Sequence, residues 1–540
     1  MSGSETTGSP QAPASTAPTG APLPTAVAEF RERRQRIRAE MGGTARIDAL
    51  HERGRRTVRE HIEAFCDPAS FDEVGTFARS ANPADAARTP GDGKIGGHGT
   101  FSGGRPVTVF GDDVTVMRGS SSIVGSRKVE RLMEQAVRAG NPIVHFGSTG
   151  GARIPDTLGT EGFLEVQPKR SNSLRKRRVP MATIVVGDSF GGSSFAAAHS
   201  DFVVQVRGTC LAVTSPRVIE VATGEDISFE DLGGVDVHAR KTGQIDQFAD
   251  TDDEAYDLVR SYLSYLPPNA WTPPARVGGA DGLASGADPE LAALVPESRR
   301  RGYDMRRVLA RLVDDGSFLE LRPLIGRSLI CCFARIDGWP VGILASQPMQ
   351  QAGVLGPDAC DKATKLIVQC DTYGLPLVFL QDVPGFLVGR QVEHDRLLHK
   401  AIMFQQALHL SEVPKLTVVL RKAFGLAYFS LCGNDQGGDL VCAWPGAEIG
   451  FMDPDVGASV LYGTQLQGLA REERIAELRR RADALRDATD PYGGAGMMKL
   501  DEIIEPAETR AVLARYLGRF AQRPFQAGSE RPLSTWPTCW

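Results

Sequence analysis

The 540-residue sequence lacks any segment that resembles a membrane anchor. No apolar run approaches the ~20 residues of a transmembrane helix, and the N-terminus has no hydrophobic signal core. The nine cysteines include no C-x-x-C pair, which argues against a disulfide framework or a zinc site. We therefore expect a cytoplasmic protein with reduced thiols, no metal and no membrane contact.

The sequence also lacks a strong excess of charge of either sign. Its 61 Lys and Arg residues against 66 Asp and Glu residues give a net charge of −5. This balance argues against electrostatic binding of nucleic acid. No Walker A sequence is present either, so we expect no P-loop ATPase chemistry in this chain.

The sequence does contain a repeat of itself at a fixed distance. Gly140 and Gly374 are 234 residues apart, and so are Val179 and Val413. Further identities at this offset are Pro106 and Pro340, Thr183 and Thr417, Phe190 and Phe424, Gly191 and Gly425, and Phe195 and Phe429. Such self-similarity predicts two copies of one fold, and the chain is long enough for two hydrophobic cores.

Composition predicts where the two copies begin and end. Residues 1–27 are mostly Ser, Thr, Ala, Pro and Gly, which predicts a disordered tail. The segment 268–300 is rich in Pro, Gly and Ala and is typical of a linker. The first lobe is therefore expected over 28–267 and the second over 301–540. The arginine-rich stretch after Glu29 is interpreted as a solvated helix face rather than a partner-binding arm.

Strands and helices alternate in both lobes. Residues 106–110 and 340–344 predict strands, while 127–139 and 361–373 predict helices that end at a glycine. This alternation indicates an α/β fold with parallel sheets. Parallel α/β sheets place their sites at the carboxyl ends of the strands.

Four glycine-containing turns are predicted at such strand ends. They are Gly150-Gly151, Gly191-Gly192, Pro384-Gly385-Phe386 and Gly425-Leu426-Ala427. Glycine lets the backbone approach a ligand closely, and the first turn of the following helix offers unpaired N–H groups. Such donors can stabilise an oxyanion, although each glycine pair alone could be only a tight turn.

Four longer motifs, at 147–153, 382–386, 421–425 and 443–445, carry a resemblance to a known family. They resemble the carboxyltransferase (β) subunit of biotin-dependent acyl-CoA carboxylases of the propionyl-, acetyl- and methylcrotonyl-CoA carboxylase type. The resemblance implies two tandem crotonase-like (ClpP/crotonase) domains from an internal duplication. It also implies a homo-oligomer, from dimer to hexamer, with each active site between the N-lobe of one subunit and the C-lobe of another.

The resemblance further implies a reaction and the residues that perform it. The carboxyl group of carboxybiotin, on a separate carrier protein, passes to the α-carbon of an acyl-CoA through an oxyanion-stabilised enolate. A biotin carboxylase and biotin carboxyl carrier subunit is the implied partner. The implied catalytic residues are Gly191, Gly192, Leu426 and Ala427; the substrate-binding residues are Gly150, Gly151, Ala152, Arg153, Phe190 and Phe429; the biotin-binding residues are Gly385, Phe386 and Gly425.

Some positions depart from the family pattern and leave alternatives open. Leu426 stands where the family has a glycine, and Phe429 where it has a smaller or acidic residue. A biotin-independent decarboxylase, acyltransferase or thioester hydrolase on the same fold is one alternative, and a non-catalytic scaffold is another. Ser189 lies in a G-x-S-x-G sequence and could act as a nucleophile with Asp382 and His394.

One dense basic cluster precedes the strand that leads to Gly191. It comprises Lys169-Arg170 and the run 175–178. These charges could bind the phosphates of coenzyme A or could belong to a solvated loop, and the sequence favours neither.

Overall fold

Two β-sheets of the same design form the frame of the protein in its computed structural model. The structure describes residues 24–165, 173, 175–278, 287–521 and 531–537. In each sheet the first three strands run antiparallel and the later strands run parallel. The α/β class expected from the sequence is therefore confirmed. Within the described residues, every helix falls short of the length and apolar character that a membrane crossing requires.

The first lobe contains a seven-stranded sheet in the order β1 to β7. Its strands are β1 (Asp72–Glu73), β2 (Lys94–Phe101), β3 (Arg105–Asp112), β4 (Ile143–Thr149), β5 (Met181–Ser189), β6 (Phe202–Val206) and β7 (Gln247–Ala249). Its helices are α1 (Thr25–Glu40), α2 (Thr44–His51), α3 (Val58–Phe65), α4 (Ile123–Ala139), α5 (Ile154–Thr157), α6 (Thr160–Glu165), α7 (Gly192–His199), α8 (Pro216–Thr223), α9 (Phe229–Gly233), α10 (Val235–Val237) and α11 (Asp252–Tyr265).

The second lobe contains an eight-stranded sheet in the order β15-β13-β12-β11-β10-β9-β8, with β14 paired to β12. Its strands are β8 (Phe318–Leu321), β9 (Leu329–Ile336), β10 (Trp339–Ser346), β11 (Leu377–Val383), β12 (Lys415–Phe424), β13 (Leu440–Ala443), β14 (Glu448–Gly450) and β15 (Glu502–Ile503). Its helices, with α12 at its N-terminal edge, are α12 (Leu291–Leu294), α13 (Met305–Leu312), α14 (Pro357–Tyr373), α15 (Arg390–His394), α16 (Leu397–Leu410), α17 (Gly425–Ser430), α18 (Pro454–Tyr462), α19 (Arg471–Arg486), α20 (Pro491–Gly496) and α21 (Thr509–Phe520).

The 234-residue repeat of the sequence is also a repeat of the backbone. Helices α4 and α14 end at left-handed glycines, Gly140 with φ 73° and Gly374 with φ 75°. Strands β4 and β11 begin 234 residues apart, and each has a register irregularity near its carboxyl end. The isolated bridges Ser121–Ala152 and Leu355–Phe386 match at the same offset. The predicted duplication is therefore confirmed down to its turns.

Helix α14 lies between the two lobes. All its residues from 362 to 373 are buried, whereas α4, its counterpart, buries one face only. Lys365 places its ammonium 2.6 Å from both carboxylate oxygens of Asp246, and Tyr373 donates to Asp201 at 3.0 Å. Tyr262 of α11 in the first lobe packs edge-on against Phe333 of β9 in the second, 5.7 Å between ring centres. The lobes therefore share one interior.

The N-terminal helix lies on the outside of the first lobe. No residue of α1 is buried, and Arg38 near its end pairs with Glu73 at 3.2 Å. The helix begins at Thr25, so the last residues of the predicted tail 1–27 are helical, while residues 1–23 lie outside the described residues. The solvated helix face expected here is what the structure has.

The basic cluster before β5 is placed differently from the phosphate-binding prediction. Arg175 and Arg177 are buried and pair with Asp201 at 2.8 Å and 3.2 Å. Arg178 stacks on Trp271, 5.4 Å from the ring centre. Arg175 and Arg177 therefore fit neither of the two interpretations left open for the cluster, because they support the interface with α14; Lys169 and Arg170 lie outside the described residues.

Candidate active site

A large cavity opens at the carboxyl ends of β4 and β5 in the first lobe. Its volume is about 1140 Å³. Its apolar lining includes Leu50, Val58, Val114, Met117, Phe146, Ile154, Val186, Phe190, Val218 and Phe229. Four of the predicted substrate-binding residues, Gly150, Ala152, Arg153 and Phe190, line it, and none of the described lining residues comes from the second lobe.

The polar lining of this cavity is strongly basic. Its arginines are Arg46, Arg53, Arg55, Arg56, Arg88, Arg118, Arg153 and Arg217, whereas its only acidic residues are Asp112 and Asp188. Arg55 is anchored by donating to the carbonyls of Val186 and Gly208 at 2.9 Å and 2.7 Å. Across the part of the chain that the structure describes, Arg53 and Arg118 form no ion pair within 4.0 Å. The cavity suits a ligand with several negative charges.

Of these arginines, the sequence motifs pointed only to Arg153. Four of them lie within residues 46–56, on α2 and the turn that leads to α3. The density of arginine next to helix boundaries could have indicated an anion-binding site, but the arginine-rich stretch after Glu29 was interpreted as a solvated helix face. Residues that far from the glycine turns in sequence reach the cavity only because α3 packs under β3 and β4.

The turn at Gly191 directly follows Phe190, a lining residue of the cavity. Gly191 has φ 57°, a conformation that disfavours any residue with a side chain. Its N–H donates to Val213 C=O at 3.1 Å, whereas Gly192 opens α7 and its N–H has no acceptor within the helix. Gly192 is thus the better-placed donor of this turn.

The turn at Gly150 is different, because its amides are already used. Gly150 N–H donates to Arg118 C=O at 2.9 Å, and Gly151 N–H donates to the Thr149 hydroxyl at 3.2 Å. Gly151 lies next to Gly191: a Cβ on Gly191 would be 3.7 Å from its Cα. Gly150 and Gly151 therefore shape the cavity wall and carry no free oxyanion donor.

Arg153 is held by acids inside the protein. The side chain is 1% exposed and pairs with Asp92 and Asp156. Its N–H donates to Ser121 C=O at 2.8 Å, which fixes the loop before α4 against the loop after β4. The two carboxylates compensate the charge of the guanidinium, so Arg153 supports the cavity wall.

A buried polar network lies beneath the first turn of α7. Ser189 donates to Ser193 at 2.8 Å, and Ser193 lies 3.5 Å from Nε2 of His145. Burial lowers the pKa of His145 to about 3, so the ring is neutral at pH 7. Asp112 follows, with one oxygen paired to Lys94 and the other 3.9 Å from His145.

This network disfavours Ser189 as a nucleophile. Ser189 is fully buried. Of the partners suggested for it, Asp382 lies in the second lobe and pairs with Arg421 at 2.9 Å, and His394 lies on α15. Ser189 instead supports Ser193, and through it the turn that presents Gly192.

The corresponding turn of the second lobe repeats this backbone. Gly425 has φ 62° and is followed by the short helix α17. Leu426 is 47% exposed and Phe429 is 37% exposed, whereas Ala427 is buried. Gly385, with φ 144°, has open space where a side chain would be, and Phe386 packs partly against the core. Among the described residues, none from this turn lines the first-lobe cavity.

Comparison with known proteins places this geometry in a family. The carboxyl transferase domain model matches residues 49–527. The chain belongs to the carboxyl transferase domain family. The resemblance expected from the four motifs is confirmed, and the chain is an acyl-CoA carboxyltransferase; the biotin-independent and scaffold alternatives are not favoured.

Relatives of this carboxyl transferase align over nearly its whole length. The methylmalonyl-CoA carboxyltransferase 12S subunit of Propionibacterium freudenreichii is 36% identical over 508 residues, covering 92% of this chain and 94% of the relative. The propionyl-CoA carboxylase beta chain of Saccharopolyspora erythraea is 38% identical over 506 residues, covering 91% and 92%.

Solved structures agree with this assignment. A transcarboxylase 12S crystal structure, described as a hexamer with methylmalonyl-coenzyme A bound, superposes with a TM-score of 0.85 at 34% identity. It covers 96% of this chain and 100% of its own. A single-chain, multi-domain long-chain acyl-CoA carboxylase gives a TM-score of 0.80 at 28% identity, with 92% of this chain and 49% of the other covered. The expected pair of crotonase-like domains is confirmed.

Proposed function

We propose that this chain transfers the carboxyl group of carboxybiotin, held on a separate carrier protein, to the α-carbon of an acyl-CoA. The observation that carries the proposal is the matched pair of turns. Gly191 and Gly425 are both left-handed, both end a central parallel strand and both open a helix. Two such donors suit a reaction in which two oxygens become negatively charged.

We assign the acyl-CoA to the first lobe. The cavity arginines are suited to the phosphates of coenzyme A, since guanidinium groups bind phosphate bidentately. The thioester oxygen would accept from Gly192 N–H, and the negative charge of an enolate on that oxygen would be stabilised by the start of α7. Phe190, 4% exposed and next to Phe229, would bound the acyl group.

We assign biotin to the second lobe, where the turn at Gly425 would hold the ureido oxygen of biotin. Leu426 and Ala427 open α17, so their N–H groups have no acceptor within the helix. The Leu426 side chain is half exposed and does not close the turn. Gly385, which follows the neighbouring strand β11, has open space where a side chain would be. Carboxybiotin, when bound, would supply the carboxyl group. Gly425 would allow the close approach, and Phe429 would border the acyl end.

We further propose that a second copy of the chain completes the site. The described residues that line the first-lobe cavity all come from the first lobe, so the Ala427 turn that faces it would come from another subunit. Large apolar side chains are exposed around that turn, namely Val388, Leu398, Ile402, Phe451, Val456 and Val460. Such a surface is typical of a protein interface, which supports a homo-oligomer.

A reconstituted carboxylation assay tests the proposal. The chain would be mixed with a biotin carboxylase, a biotinylated carrier, ATP, labelled bicarbonate and a panel of acyl-CoA substrates. We expect label in acyl-CoA only when the carrier is biotinylated. Label transfer without biotin, or acyl-CoA breakdown without carboxylation, would contradict the proposal.

A further inference from the structure

The loop between β3 and α4 differs between the lobes in a way that affects the cavity. In the first lobe it contains Arg118 and Ser121, and the positions 234 residues later are Ala352 and Leu355. Arg118 and Ala352 share a left-handed backbone, with φ 60° and 55°. The strained conformation therefore belongs to the fold, whereas the charged side chain is specific to the first lobe.

The backbone fixes where the Arg118 side chain begins. Its C=O accepts from Gly150 N–H at 2.9 Å, which joins the loop to the end of β4. The side chain crosses Gly150: a Cβ placed on that glycine would lie 3.3 Å from Cβ and 3.9 Å from Nε of Arg118. Gly151, the next residue, touches the Gly191 turn. Arg118 is thus the cavity arginine beside the turn that would hold the thioester.

The charge of Arg118 is available. The side chain is exposed and, considering only residues that the structure describes, has no ion pair within 4.0 Å. Arg153, the nearest arginine along the same wall, is neutralised by Asp92 and Asp156. Asp188 also lines the cavity, and burial raises the pKa of its carboxyl while nearby Arg118 acts to lower it. The two side chains form no salt bridge.

Ser121 places a second polar group beside the Gly192 turn. A Cβ on Gly192 would lie 3.2 Å from its hydroxyl oxygen. In the second lobe the corresponding Leu355 is fully buried. The loop beside the Gly191 turn is thus polar and cationic in the first lobe, whereas its counterpart carries the apolar Ala352 and Leu355.

We propose that Arg118 is a specificity residue that binds a carboxylate on the acyl chain of the substrate, so that the protein selects acyl-CoA esters with a terminal carboxylate. This inference rests on the proposed function. A phosphate of coenzyme A is the other possible anion, but the other cavity arginines that form no ion pair among the described residues, Arg46, Arg53 and Arg55, lie on α2 or on the turn that leads to α3. A planar guanidinium matches a carboxylate with two parallel hydrogen bonds.

Binding measurements with matched thioesters test this inference without any carboxylation partner. Glutaryl-CoA and 5-methylhexanoyl-CoA differ in whether the chain ends in a carboxylate or in an uncharged group of the same shape. Calorimetric titration of the full chain should show tighter binding of glutaryl-CoA. In Arg118→Ala, which installs the second-lobe residue, we expect glutaryl-CoA binding to weaken by roughly 10- to 100-fold and the uncharged ester to be little affected.

Two further variants provide the controls. Arg118→Lys should recover part of the glutaryl-CoA affinity, because it restores the charge without the planar fork. Arg53→Ala should weaken both esters by the same factor, because it would act on coenzyme A. Unchanged circular dichroism and melting temperature would verify folding of each variant.

The outcomes separate the two proposals. Equal losses for both esters in Arg118→Ala, or no preference of the unmodified protein for glutaryl-CoA, would overturn the carboxylate assignment and leave the carboxyltransferase proposal intact. If the Arg118→Ala loss disappears with 3′-dephospho-CoA esters, the anion is the phosphate and the assignment is wrong. If neither ester binds, both proposals fail.

Discussion

Replacing Gly192 with proline removes its N–H group and puts the Cδ of the ring in its place. Gly192 is the first residue of α7, a position where proline is tolerated because the N–H has no helical acceptor and φ suits the ring. We therefore expect a folded protein with a melting temperature close to that of the original. If the N–H binds the thioester oxygen, carboxylation should fall by about 10²- to 10³-fold, about 2.7–4 kcal/mol of transition-state stabilisation.

The control for this variant is Gly192→Ala. Alanine adds the same Cβ, which would lie 3.2 Å from the Ser121 hydroxyl oxygen, but it keeps the N–H. The assay is the reconstituted carboxylation reaction, with kcat and KM determined separately for both variants. We expect the proline variant to lose kcat and the alanine variant to lose much less. Equal losses would point to crowding against Ser121, and full activity of the proline variant would exclude this N–H from the mechanism.

Three further predictions concern stability and the pocket. Lys365→Met should destabilise the protein by about 1–3 kcal/mol in a denaturant titration, because it leaves the buried Asp246 with Arg322, 3.3 Å away, as its remaining cationic partner; a change below 1 kcal/mol would contradict a tight inter-lobe pair. Phe190→Ala should cost about 3–5 kcal/mol and favour bulkier acyl groups, which competition among acyl-CoA esters would measure. His145→Phe, which installs the residue of the second lobe, should remove a pH dependence of stability. Since the pKa of buried His145 is about 3, below its ordinary 6.5, the unfolded state binds the extra proton and stability falls as pH drops from 6.5 towards 3, by about 1.4 kcal/mol per pH unit; parallel pH curves for variant and original would refute this.

The fold was predictable because the repeat is carried by residues with a local role. Gly140 and Gly374 end their helices, and Gly191 and Gly425 end their strands, so the glycine spacing alone marks the same elements twice. The lobe interface was not predictable in this way. Nothing in the sequence of α14 distinguishes Lys365 or Lys362 from the solvated lysines of an ordinary surface helix, because their burial depends on acids and carbonyls far along the chain.

The candidate site, too, was predictable only where the role of a residue depends on its local sequence. The turns at Gly192 and Ala427 follow from local sequence, and so does the cavity-lining position of Phe190. The burial of Arg153 and Arg175 could not be predicted, because an arginine in a buried ion pair and a free binding arginine look identical in sequence. Arg118 was passed over for the opposite reason: its neighbours Met117 and Gly119 signal only a turn, and the cavity it faces is formed by distant elements.

The burial of α14 restricts how this protein can be divided. A duplicated fold suggests that each lobe can exist as a separate chain, but here the isolated second lobe would expose Lys365, Gln369 and Tyr373, which contact the first lobe. The first lobe would lose the cation opposite Asp246. A split version, whether natural or engineered, would have to acquire a new outer face on this helix before either half could stand alone.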